Sequence, residues 1–152
     1  MVTKEEIKRF KNHHKAEGTT LYKVNAGELS RFRDNELMLA DIVADRKKQY
    51  EKENRVSATA AYLDIEEKCH IKMDTFKKIM CGQRKITRRL LYKFVVGFKM
   101  SLDEANEYFA LCGGPLNPDY DVEDYICIKA LEDKDSVRQL TADFEKHLSL
   151  KL

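Results

Sequence analysis

Proline is almost missing from this chain, two residues in 152, and glycine is scarce at six. So little punctuation leaves few points at which a helix must stop, and long stretches of charged and apolar residues in helical rhythm fill the rest. Long apolar runs are lacking as well. No segment approaches the length that crosses a bilayer, and the charged stretch Met1 to Phe10 carries no signal-peptide pattern, so the expected location is the cytoplasm and no membrane partner is expected. Cysteine pairing signals are absent too. Cys69, Cys81, Cys112 and Cys127 never form C-x-x-C and sit among helix-periodic apolar residues, which reads as buried reduced thiols rather than a disulfide or zinc framework.

Catalytic and metal-binding signatures are equally thin. No phosphate-cradling glycine loop, no H-E-x-x-H and no G-x-S-x-G occurs. His13 and His14 have no nearby cysteine or spaced carboxylate pair to complete a metal site, and Cys69-His70 with Cys81 lacks a third group to orient a nucleophile. Asp119, Asp121, Glu123 and Asp124 resemble the start of a calcium loop, but Asp124 stands where the turn glycine is required and Ala130 where the closing glutamate is required. Acids favoured at a helix N-terminus explain them better. The chain is expected to be no enzyme, with no cofactor and no metal.

Acidic residues are missing from one window, and that absence is informative. Between Lys68 and Lys99 stand ten Lys or Arg and a single acid, Asp74, whereas the whole chain nets only +2. Residues 1–67 balance at thirteen basic and thirteen acidic, and residues 100–152 hold five basic and twelve acidic. A polyanion would meet one strongly attractive face on a nearly neutral molecule, which points to nucleic acid, with an inert solvated surface and an acidic protein partner as the alternatives. The tyrosines and phenylalanines do not interleave with these cations as a base-stacking surface would require.

The periodic segments predict an all-α protein. A short helix from Thr3 to about Glu17 leads through a connector, Thr19–Gly27, into a long helix over Glu28–Asn54 with Leu29, Phe32, Leu37, Leu39, Ile42 and Val43 as its apolar positions. Its polar second half, Asp45–Arg55, reads as exposed or as a frayed linker. Ser57 caps a helix to Cys69 with Ala61, Leu63 and Ile65 as buried candidates; His70-Ile71-Lys72 breaks it; a helix from Met73 to Cys81 ends at Gly82. Thr87 caps the next helix, Ser101 with Glu104 forms a capping box, and Gly113-Gly114-Pro115 with Pro118 makes a loop before two last helices, about Val122–Leu131 and Val137–Leu148, the latter capped by Ser136.

Ile71-x-Met73-x-Thr75-Phe76-x-x-Ile79-x-x-Gly82, followed by Gln83-Arg84-Lys85-Ile86-Thr87 and Leu90-Leu91-x-x-Phe94, carries a further reading. From about Ala60 to Phe109 the chain resembles the lambda-repressor/Cro-like (XRE-type) helix-turn-helix family. The resemblance implies that the Met73–Cys81 helix enters the major groove, with Asp74, Thr75, Lys77 and Lys78, which by periodicity face away from Phe76, Ile79 and Met80, at the base edges. Lys72, Gln83, Arg84, Lys85, Arg88 and Arg89 would meet phosphates, where charge matters more than geometry. Lys72 replaces the usual capping serine of the turn and Glu66 the usual small residue of the first motif helix. The stretch Ser101–Ile126 is similar to small bacterial helix-turn-helix proteins with an added acidic helical tail.

The expectation is therefore a repressor-like helix-turn-helix bundle with flanking helices, divided as residues 1–27 (helix and connector), 28–112 (helix-turn-helix domain) and 113–152 (acidic extension packed on it). Its expected role is double-stranded DNA binding as a bacterial or phage-type transcriptional regulator, acting as a homodimer if it reads a specific site. The alternative is a protein-interaction module of the same fold, anti-defence or antitoxin-like, which Lys72 and Glu66 favour over DNA reading.

Overall fold

The structure, a computed structural model, describes residues 26–152. The helix expected over Thr3–Glu17, with His13 and His14, and the connector up to Asn25 lie outside the described residues. Those residues form seven α-helices and no strand: α1 (Ala26–Asn54), α2 (Ala58–Cys69), α3 (Met73–Met80), α4 (Arg88–Gly97), α5 (Leu102–Phe109), α6 (Val122–Glu132) and α7 (Val137–Leu148). No helix among the described residues is long and apolar enough to cross a membrane. The chain divides into two compact units, Met1–Asp34 and Asn35–Leu152. Of the first, the described part is the opening of α1, where the apolar Leu29 and Phe32 are exposed.

The second unit contains the core. Its helices start where side-chain oxygens can accept the orphan first-turn amides. Ser57, Thr87, Ser101 and Ser136 accept from the N–H of Ala60, Leu90, Glu104 and Gln139, and Asp121 accepts from Glu123 and Asp124. Between α5 and α6, Gly113 and Gly114 take the positive φ values that turn the chain. One apolar cluster then runs from Leu39 through Phe144 and draws on all seven helices. Aromatic rings link its parts: Phe76 of α3 stacks on Phe94 of α4 at 6.1 Å, Phe94 meets Phe98 and Tyr108, and Tyr92 meets Phe109 and Phe144.

Two expectations fail and a third holds only in part. Asp45–Arg55 is helical as far as Asn54 and mostly exposed, but Arg46, Lys47, Tyr50 and Glu51 are drawn inward, the long side chains burying their stems. Tyr50 packs edge-on against Phe98 and donates its hydroxyl to Asp64 at 2.9 Å. Lys47 is buried, with its ammonium over the Tyr62 ring and 3.0 Å from Glu51, and Arg46 lies over Phe98 between Glu53 and Glu104. On α2 the buried line is Ala61, Ile65 and Cys69, a strict four-residue step, which leaves Leu63 outside. The cysteines also divide: Cys69 and Cys127 are buried, Cys112 is half-buried, and Cys81 is exposed because it caps α3 beyond the last buried residue of that helix. Burial pushes the Cys69 thiol up to about 12 despite neighbouring Lys68, so it stays protonated at neutral pH.

Candidate nucleic-acid interface

Helix α3 is eight residues long, too short to persist on its own. Phe76 and Ile79, almost wholly buried, hold it against α2 and α4, and each contributes about 1.5–3 kcal/mol by leaving water. Ending α2 costs something: His70 takes φ +53, the left-handed region that a side chain resists, and buried Ile71 then pins the turn. Lys72 offers no cap, as its chemistry requires, and Glu66 supplies one from the preceding helix by accepting the Met73 N–H at 3.3 Å. Glu66 thus sits at the surface as a capping carboxylate rather than in the helix crossing. The close crossing lies elsewhere, at Gly97, where a Cβ would stand 2.4 Å from Cys69 Sγ.

After α3 the chain folds back on itself. Gly82 adopts φ +75, and the Lys78 carbonyl accepts from both Gln83 and Arg84 amides at 2.9 and 3.2 Å. This brings Lys72, Asp74, Thr75, Lys77, Lys78, Gln83, Arg84 and Lys85 together on α3 and its flanking loops. All are exposed except half-buried Thr75. Arg84 donates to Thr75 Oγ1 at 3.4 Å, so the loop cation lies along the helix face. Lys78 pairs with Asp74 one turn before it at 3.3 Å, Lys77 lies over the Tyr62 ring, and Lys85 reaches Glu36 of α1 at 3.3 Å. Such exposed pairs contribute little and exchange readily for a stronger anion.

Arg88 and Arg89 are drawn elsewhere. Arg88 donates through Nε and Nη2 to the two carboxylate oxygens of Asp124, through Nη1 to the Cys112 and Gly114 carbonyls, and through Nη2 to Pro115. A guanidinium has five N–H groups, and all five are engaged, so the expected phosphate contact at Arg88 is corrected to an internal one. Asp124 is buried and also accepts from the Tyr92 hydroxyl and the Asn117 N–H. Burial alone would raise its pKa, but the bonds from Arg88, Tyr92 and Asn117 win and hold the carboxyl below its ordinary value. Burial and the same carboxylate push the Tyr92 hydroxyl up. Arg89 is half-exposed and donates through Nε and Nη2 to Glu123 Oε1 at 3.0 and 2.7 Å.

Sequence reasoning therefore missed four acids that act on the basic window: Glu36, Glu66, Glu123 and Asp124. Only Glu66 lies close enough in the chain for a local signal, namely a carboxylate one turn before a turn that lacks a capping side chain. A cleft of about 570 Å³ is lined by residues including Tyr50, Asp64, Lys68, Phe98 and Ser136, and by none of the expected contact residues. Among the described residues no three His, Cys, Asp or Glu are grouped to hold a metal ion. No family model, no curated protein and no solved structure matches the chain.

Proposed function

We propose that the chain binds double-stranded DNA through α3 and its exit loop, as a repressor-like helix-turn-helix protein of the kind that regulates transcription in bacteria or phages. The observation that supports this reading best is the outward face of α3: Lys77 and Lys78 are exposed while Phe76 and Ile79 anchor the opposite face, with Arg84 lying along the helix. A helix held by its apolar side with long donors on the other is what major-groove reading requires. Lys72, Gln83, Arg84 and Lys85 are then the phosphate contacts, and Arg89 stands at the edge of the surface.

A titration against random duplex by fluorescence anisotropy at about 50 and 200 mM salt tests the reading. With three cations, Lys72, Arg84 and Lys85, on phosphates, log K falls with log salt at a slope of about −2.7, roughly a 40-fold loss of affinity across that range. The double substitution Lys77→Ala with Lys78→Ala removes sequence preference, and Arg84→Ala lowers the slope by about 0.9 without changing preference. A slope near zero for the wild type ends the proposal.

One observation favours a second reading, a protein-interaction module of the same fold. Lys78, Lys85, Arg88 and Arg89 all have carboxylate partners within the chain, so the basic window is less naked than its charge count implies. Under that reading the chain captures an acidic protein, duplex binding is absent at 50 mM salt, and the Lys77/Lys78 double variant keeps its partner.

A further inference from the structure

The acid that holds Arg89 sits on a rigid mount. Glu123 lies in the first turn of α6, its N–H bonded to Asp121 Oδ1 at 2.9 Å. Its chain neighbour Asp124 is buried and tied to Arg88, Tyr92 and the Asn117 amide. Arg89 in turn follows Arg88, which is clamped by every N–H it has. Neither partner can therefore swing away with the other, and the contact is two N–H groups on one oxygen, Oε1, at 3.0 and 2.7 Å. The other two exposed pairs of the basic window differ. Lys78–Asp74 and Lys85–Glu36 are single contacts at 3.3 Å between side chains 45–82% exposed, free to rearrange around an incoming anion. Glu123 is only 21% exposed against 50% for Arg89.

We propose that Glu123 is a built-in competitor for the DNA backbone, its carboxylate occupying the Nε/Nη2 edge of Arg89 that a phosphate would otherwise take. The acidic extension thereby sets the affinity of the basic face from within the same chain. This rests on the DNA reading above. In the wild type Arg89 contributes no phosphate contact, because a phosphate gains about what the carboxylate loses, and the fixed negative charge of Glu123 remains beside it. Removing that charge while keeping the shape frees Arg89 for the duplex.

The test is a double-mutant cycle on the full chain, read by anisotropy on random duplex at about 50 and 200 mM salt, with far-UV circular dichroism to confirm that each variant is folded. Glu123→Gln binds about threefold tighter at the lower salt, and its salt slope steepens by about 0.9. Arg89→Gln alone keeps the wild-type slope, and adding Glu123→Gln to it changes the slope no further. The proposal is overturned if Glu123→Gln keeps the wild-type slope, or if it tightens binding equally with and without Arg89, which would make it a general charge effect. If the folded wild type and Glu123→Gln both fail to bind duplex, the DNA reading falls and the proposal falls with it.

Discussion

Asp124 shows how one side chain can carry more than its neighbourhood announces. It stands third in a helix, where an acid is ordinarily a solvated partner of the macrodipole, yet it is 2% exposed and receives four hydrogen bonds. Replacing it with asparagine leaves the Arg88 guanidinium largely buried without a counter-charge, and the expected cost is about 3 kcal/mol, measured as a lower urea midpoint. The pH dependence has a definite sign. A carboxyl whose folded pKa lies below its unfolded value of about 3.9 stabilises the fold above that value, and the contribution is lost as pH falls through the folded pKa. Wild-type stability should therefore drop steeply below about pH 4, and Asp124→Asn should flatten that acid limb. An acid limb unchanged by the substitution would show that the Arg88–Asp124 pair is not the group responsible.

At the scale of the element, α3 is defined by its neighbours. Its eight residues cannot form a stable helix alone, and it stands because α2 and α4 cross closely enough to receive Phe76 and Ile79 between them. The closeness depends on Gly97. An added Cβ there meets Cys69 Sγ at 2.4 Å and two backbone atoms of α2, Cys69 Cα and the Lys68 carbonyl oxygen, at 2.9 Å each. Gly97→Ala should cost roughly 1–3 kcal/mol through overpacking, seen as a lower thermal midpoint. Adding Cys69→Ala should recover only part of this, because the two 2.9 Å contacts are with backbone that cannot be trimmed. Full recovery would place the strain in the sulfur alone. The caps and stops of α2 to α5 were legible as residues: Ser57, Gly82, Thr87 and Ser101 all act locally. The crossing was not legible, since a glycine near the end of an apolar helix looks the same whether a neighbour approaches it or water does.

At the scale of the whole molecule, the acidic extension is part of the core rather than an appendage to it. Ile126, Cys127, Ile128, Ala130 and Leu131 of α6 and Val137, Leu140 and Phe144 of α7 belong to the same apolar cluster as Phe76 and Phe94, and α4 packs on both helices. A chain ending at residue 112 would expose Tyr92 and Phe109 and leave Arg88 without Asp124. It should lose its cooperative thermal transition, whereas a division between independent domains would leave that transition in place. The same packing explains the charge distribution. Putting the acidic helices directly on α4 brings Glu123 and Asp124 to the basic window and lowers its effective charge, while the exposed cations of α3 and its exit loop remain on the outside.

The linear chain by itself determined the all-α class, the positions of the caps and stops, and which face of α3 is apolar, because helical period, N-cap oxygens and glycine termination all operate within a few residues. It also determined that ten cations fall in one window with a single acid. Only the tertiary structure decided which of those cations are committed inside the chain. The acids that engage Arg88 and Arg89 lie 36 and 34 residues further on, and no local pattern specifies a partner across that distance. Burial followed the same division: the four-residue step of α2 excluded Leu63, and the rings of Phe98 and Tyr62 drew Arg46, Lys47 and Tyr50 inward from the otherwise exposed polar end of α1. Both outcomes depend on what lies opposite, and that is settled by packing rather than by the order of residues along the chain.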